Sequence, residues 1–197
     1  MLILAPSNAA LVRQVLRGRR ERFDVLVRRH LSAVYAVAFS FTTNHADAED
    51  VSQDAFLKAY TSLDTLREPA KFEGWLIAIA RNSALRAVKK HQRDKEREQE
   101  AQVPAAVRTV DPAREELYDL LGEKMEALDE PHREVLMLHY FAGKRTREIA
   151  GLLDVSQAAV LKRLQRAREA LGGEMIEEIV GSRAETGWVN ARSKEHR

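Results

Sequence analysis

Residues 146–171 read TREIAGLLDVSQAAVLKRLQRAREAL, and this stretch decides the fold. Residues 146–153 form one helix, Asp154-Val155 form a short turn, and Ser156 offers its hydroxyl as the N-cap of the next helix. That is helix-turn-helix spacing. On the second helix Val160, Leu164, Ala167 and Leu171 share one face, while Ala158, Lys162, Gln165 and Arg166 project from the other. Between Ser156 and Arg168 four bases (Lys162, Arg163, Arg166, Arg168) stand with no acid. Such a helix fits a major groove, with cations for phosphates and polar side chains for base edges. A solvated basic face on a bundle helix is the competing reading of the same residues.

Working outward, apolar residues recur at three and four throughout, glycine and proline are scarce, and no strand is needed. The predicted class is all-α, as two small helical domains. Phe23, Leu26, Val27, Val34, Val37, Ala38 and Phe41 make the stripe of a first helix, which breaks at Thr42-Thr43-Asn44. A second amphipathic helix spans 47–63, a loop around Pro69 follows at 66–72, and a third helix runs from 73 to about 92. Mixed charge and then small residues with Pro104 and Pro112 mark a flexible linker. Beyond it, helices are expected over 115–128, 131–141, 145–153 and 156–171. The predicted divisions are an N-terminal extension at 1–22, a first domain at 23–93, a linker at 94–113, a second domain at 114–171 and a tail at 172–197. The tail extends as a short helix to about 178 and is expected to be loosely ordered beyond Gly181, with no contact role.

Composition excludes several classes. The 197 residues are 45% hydrophobic and 31% charged, so a core is available. The net charge of +2 makes no global case for nucleic-acid binding, which therefore rests on where the charge sits. Without cysteine there is no disulfide scaffold, thiolate zinc site or cysteine nucleophile. Residues 1–16 lack a basic region ahead of their apolar run and are followed by Arg17, Arg19, Arg20 and Arg22, the reverse of a signal peptide. The apolar run at 34–41 is too short to span a bilayer. A soluble cytoplasmic protein without membrane insertion is expected.

No Gly-rich phosphate loop, HExxH or GxSxG is present, and the six histidines are scattered, each read as a surface or partly buried side chain. No enzyme, metal or cofactor is expected.

Two further charge clusters stand out. The third helix carries Arg81, Arg86, Lys89, Lys90 and Arg93 without an acid, over an apolar side of Trp75, Leu76, Ile79 and Ala80. The second opens with Asp47, Glu49, Asp50 and Asp54 before its first base, Lys58. Acids there suit a helix N-terminus; they equally suit a basic protein partner, and DNA would repel them.

Taken together, 47–58 (DAEDVSQDAFLK) with Phe72, Trp75-Leu76, Ile79-Ala80 and Arg81-Asn82 resembles region two of the extracytoplasmic-function (ECF) sigma factors. Leu128, Pro131, Arg133, Val135-Leu136, Glu148-Ile149-Ala150, Leu153, Val155-Ser156, Val160, Arg163-Leu164 and Arg166-Ala167-Arg168 resemble region four. The likeness covers 23–171 in the right order.

The resemblance implies promoter recognition and DNA melting as a dissociable subunit of bacterial RNA polymerase, touching the β′ clamp helices and the β subunit. Asp47, Glu49, Asp50, Gln53 and Asp54 would dock on the β′ clamp helices. Thr65, Leu66, Arg67 and Lys71 would receive a flipped base of the minus-ten element, with Asn82, Arg86, Lys89 and Lys90 along the melting strand. Arg147, Ser156, Gln157, Lys162, Arg163, Gln165, Arg166 and Arg168 would hold the minus-thirty-five element, with Lys162, Gln165 and Arg166 on bases and Arg147, Arg163 and Arg168 chiefly on phosphates. An anti-sigma factor is the implied regulator. The chain departs from the family pattern at Arg86, Ala158 and Leu161, which bears on promoter preference. A stand-alone helix-turn-helix regulator would explain the last helix and leave the acidic helix, the Pro69 loop and the second basic helix without a role.

Overall fold

The computed structural model describes residues 5–98 and 112–185. Eight helices and several short turns account for them, with no strand among the described residues. The first lobe comprises α1 (Asn8–Leu16), α2 (Phe23–Thr42), α3 (His45–Thr61) and α4 (Phe72–Glu98). The second comprises α5 (Pro112–Glu126), α6 (Glu130–Leu136), α7 (Thr146–Leu153) and α8 (Gln157–Glu185). The heart of the expected linker, 99–111, lies outside the described residues.

Local chemistry sets the boundaries. Thr43 in the left-handed region (φ 50) ends α2, and Asn44 then caps α3 by accepting the Asp47 N–H at 3.0 Å. Ser62 and Thr65 fold the end of α3 into a turn at Leu63–Thr65, and a second turn at Pro69–Lys71 leads into α4. α1 was not anticipated within the N-terminal extension. Ser7 caps it, and Leu11, Val12 and Val15 bury its inner face at helical spacing.

The central helix explains the architecture. From Ala33 to Phe41 every side chain of α2 is buried, and a helix that is apolar all round must be covered all round. One side packs on α3 and α4, forming the three-helix core of the first lobe. The opposite side packs on α6 and on the turn that follows it, Met137–Phe141. Tyr35 and Phe39 face the second lobe, where Tyr35 lies 5.3 Å from Phe141 and 6.3 Å from Tyr118 between ring centroids. The two expected lobes thus share a core.

The helix expected over 131–141 is two pieces: α6, and a wider π-helical turn in which the Ala142 N–H reaches the Met137 carbonyl at 3.0 Å. Gly143 (φ 67) ends it. α8 continues to Glu185, with a kink at Gly172 (φ 77, ψ 167). The helix expected to end near 178 thus runs further, and Ile179 is fully buried with Ile176 packed against the core. Their three-residue spacing is a short apolar face of its own. Residues 186–197 lie outside the described residues.

Candidate nucleic-acid interface

The helix-turn-helix forms as its sequence dictates. Asp154 takes the left-handed conformation (φ 54) at the end of α7, which a short polar side chain tolerates. Ser156 Oγ accepts the Ala159 N–H at 3.1 Å and starts α8. Glu148 accepts the Arg145 N–H at 2.7 Å, so the first turn of α7 is also capped. Val160, Leu164 and Ala167 are buried, which turns Lys162, Gln165 and Arg166 outward. Gln157 is exposed and donates to Thr146 Oγ1 at 3.0 Å, tying the two helices together.

The other expected contacts of this lobe differ in freedom. Arg147 is exposed. Arg168 donates to the Tyr140 hydroxyl at 2.6 Å and lies 5.7 Å from that ring, so its cation is held in place. Arg163 is only half-exposed, and its charge acts on the buried Glu134. Gln165 donates to Glu169 at 2.9 Å.

In the first lobe α4 presents Asn82, Arg86, Lys89 and Lys90 on one exposed side, with Arg86 Nε donating to the Asn82 carbonyl at 3.1 Å. Thr65, Arg67 and Lys71 are exposed on the two turns before it, and Lys71 pairs with Glu68 at 2.8 Å. Leu66 is buried, so its side chain anchors the loop and is not offered to a ligand.

The acidic helix is more differentiated than its sequence indicates. Asp50 and Gln53 are exposed. Glu49 lies 3.6 Å from His45, and Asp47 sits in the capped first turn. Asp54 is bound to Lys58, whose ammonium also donates to Ser83 of α4 at 3.1 Å. Partial burial pushes the Asp54 carboxyl up, and its bonds to Lys58 and Ser83 more than reverse that, leaving it below the ordinary value.

Sequence reasoning missed the polar groups that join the lobes. Arg81 donates to Glu134 at 2.8 Å. Lys144, buried, is bound to Glu73, and His30 Nδ1 stands 3.4 Å from the same carboxylate. Burial raises the Glu73 carboxyl, but His30 and Lys144 bring it down to about 2. His30 is thus a core residue rather than a surface or partly buried one. Pairs separated by 53 and 71 positions carry no local pattern. Among the described residues no three histidine or acidic side chains are placed to hold a metal ion. None of their helices is long and apolar enough to cross a membrane.

A helical bundle with an acidic helix and a basic one, joined to a helix-turn-helix, is the architecture of a DNA-binding protein. The sigma-70 region 2 family matches residues 26–94, and sigma-70 region 4 matches 118–171. The solved chain of CnrH, in complex with the cytosolic domain of CnrY, is 30% identical with a TM-score of 0.61; the match covers 84% of this chain and 95% of that one. The ECF RNA polymerase sigma factor SigW of Bacillus subtilis is 28% identical over 81% of this chain and 92% of its own length. The probable RNA polymerase sigma factor RfaY of Xanthomonas campestris is 34% identical over 81% of this chain, which spans only 42% of that relative. The chain belongs to the ECF group of the sigma-70 family.

Proposed function

We propose that this chain directs bacterial RNA polymerase to its promoters by docking through α3 and reading DNA through α4 and α8, and that it contributes no bond-making chemistry itself. The observation that carries this reading is the segregation of charge: exposed acid on α3, and exposed base on α4 and on the outward face of α8. A basic polymerase surface complements the first, and phosphates complement the second. Asp50 and Gln53, both exposed on α3, lead the docking contact. Lys162, Gln165 and Arg166 read minus-thirty-five base edges, while Arg147 and Arg168 hold phosphates. Thr65, Arg67 and Lys71 surround the flipped minus-ten base, and Asn82, Arg86, Lys89 and Lys90 follow the strand. Preferential binding of melted over duplex DNA then shifts the promoter toward the open state.

The protein would work in the cytoplasm, where the polymerase is. CnrH has been solved in complex with the cytosolic domain of CnrY, and we infer that a protein regulator, an anti-sigma factor, binds this chain. The test is transcription from a promoter library by purified bacterial core polymerase with and without the chain. Defined start sites that need the chain, sharing two upstream elements, are the expected result. If nothing initiates and the chain neither binds core nor displaces another sigma factor, a stand-alone helix-turn-helix regulator is the better account.

A further inference from the structure

Leu161 has no part in the function above. It stands on α8, the helix that reads the minus-thirty-five element, and 52% of its surface is open. A lone exposed leucine on a protein surface needs no explanation. This one stands among the side chains assigned to DNA. Lys162 and Gln165 are exposed beside it, and between Ser156 and Arg168 there is no acid to turn a polynucleotide away.

Helix geometry fixes its company. Val160, Leu164 and Ala167 point into the lobe, and one residue turns a helix by roughly 100°. Leu161 therefore looks out along the flank it shares with Ala158, three residues before it, and Gln165, four after. Ala158 and Lys162 are neighbours by the same rule. The positions 158, 161, 162 and 165 thus form one continuous exposed patch, apolar at Ala158 and Leu161 and polar at Lys162 and Gln165. Its borders are held in place. Gln157 is tied to Thr146 of α7 at 3.0 Å, and Arg168 to the Tyr140 hydroxyl at 2.6 Å. Side chains in the first turns of such a helix are the ones that reach base edges.

We propose that Leu161, with Ala158 beside it, reads a thymine of the minus-thirty-five element by closing over its 5-methyl group in the major groove. This rests on the sigma-factor reading above and gives one base of the element to a side chain that has no hydrogen bond to offer. Of the groups that base pairs present in that groove, the thymine methyl is the apolar one. Beneath Leu161, guanine N7 and O6 or the cytosine amino group would lose water and gain no partner, which is costly. Leucine also surrenders less rotamer freedom on contact than the long cations beside it. A protein partner is the poorer occupant, since the patch is small and set among Lys162, Arg166 and Arg168, which phosphates complement.

The test uses the full chain assembled with bacterial core polymerase, and the probe is fluorescein-labelled duplex DNA carrying a promoter recovered from the library. Each thymine of the minus-thirty-five element, on either strand, is replaced in turn by deoxyuridine, which pairs in the same way and lacks only the methyl. For wild type one replacement should lower affinity about fourfold, the worth of one buried methyl-sized group. A G·C pair at that position should cost more. In Leu161→Ala the thymine and deoxyuridine probes should bind equally at that position, while Lys162→Ala should weaken both and leave their ratio unchanged. Leu161→Ala keeps the helix, because the side chain is exposed and alanine is the stronger helix former.

A promoter set with no fixed A·T pair in the element, deoxyuridine tolerated at every position, or a ratio that survives Leu161→Ala each overturns this proposal and leaves the sigma-factor reading standing. A ratio abolished by Lys162→Ala instead gives the methyl to Lys162. Loss of affinity for core by Leu161→Ala in the absence of DNA overturns the proposal too, by placing the patch on a protein. If wild type shows no promoter-dependent binding with core, the sigma-factor reading itself falls and takes this contact with it.

Discussion

Arg81 Nη2 donates to Glu134 Oε2 at 2.8 Å, joining α4 of the first lobe to α6 of the second across 53 positions of chain. The pair is lopsided. Arg81 remains about a third exposed, while Glu134 is fully buried and its Oε1 has no hydrogen-bond partner. Burial is the largest influence on the carboxyl and pushes it up to about 7, against the opposing pull of Arg81 and Arg163 and with help from Glu130.

That shift has a definite consequence for stability. Between the ordinary value of 4.5 and about 7 the folded chain holds a proton that the unfolded chain has released. Stability therefore falls as pH rises through this window, by about 3 kcal/mol at roughly 1.4 kcal/mol per pH unit. Glu134→Gln keeps an acceptor for Arg81 and cannot ionise. Urea midpoints measured from pH 5 to pH 8 should fall for wild type and stay nearly level for the variant. Parallel curves would show that Glu134 titrates normally.

The second link between the lobes has the opposite sign. Glu73 is held down at about 2 by His30 and Lys144, so its contribution is complete above 4.5 and is lost as pH falls from there toward 2. Lys144→Met leaves the carboxylate with His30 alone. Breaking a buried pair costs about 3–5 kcal/mol, and because Glu73 is 28% exposed the loss here should be nearer 2–3 kcal/mol at pH 7. The double variant Glu73→Gln, Lys144→Met should recover part of it. A double variant no better than the single would mean that Lys144 acts by packing rather than by charge.

Both links bear on what the sequence disclosed. Helix periodicity located seven of the eight helices, because each carries an apolar face that repeats locally. α1 escaped, since Leu11, Val12 and Val15 make only a short face among arginines. The closeness of the two lobes was also missed, although one sign was present. Tyr35, Ala36 and Phe39 are apolar on the side of α2 away from its main stripe, and they need a cover of their own. The charged faces of α3, α4 and α8 were legible from composition along each helix. Which charges are engaged was not, because Arg168 is held by Tyr140, and Lys58, beyond its helix neighbour Asp54, by Ser83 of α4, partners that only the folded chain brings near.

Those partners divide the DNA-facing arginines into two kinds. Arg166 is exposed and outward on α8, so Arg166→Ala should cost about 1–3 kcal/mol at one promoter position and relax selectivity there. Arg168 is fixed on Tyr140 and is suited to a phosphate, so Arg168→Ala should weaken all promoters alike and lower the salt slope by about 1. Binding of a set of single-base promoter variants separates the two. Unchanged selectivity with Arg166→Ala would remove α8 from the major groove.

The docking face makes a similar distinction on α3. Asp50→Lys reverses an exposed charge and should weaken core binding. Asp54→Lys would also break the link through Lys58 to Ser83 of α4, so it should lose stability as well as affinity. Core affinity that is indifferent to Asp50→Lys would sink the assignment of this face.

The packing of one lobe on the other can be tested at one atom. A β-carbon added at Gly122 of α5 would stand 2.1 Å from the Thr43 carbonyl oxygen, at the corner between α2 and α3. That contact is with backbone, so no side chain can turn aside to relieve it, and Thr43 is fixed in its left-handed conformation by the end of α2. Gly122→Ala must therefore move α5 away from the first lobe. Movement there disturbs Tyr118, one turn earlier, whose ring stacks on His45 at 4.1 Å and 3° between planes. Helicity within each lobe should survive, because alanine favours a helix over glycine by about 1 kcal/mol. The expected result is a larger distance between fluorophores placed on the two lobes, with far-ultraviolet circular dichroism unchanged. An unaltered distance would mean that α5 does not pack on Thr43 in solution.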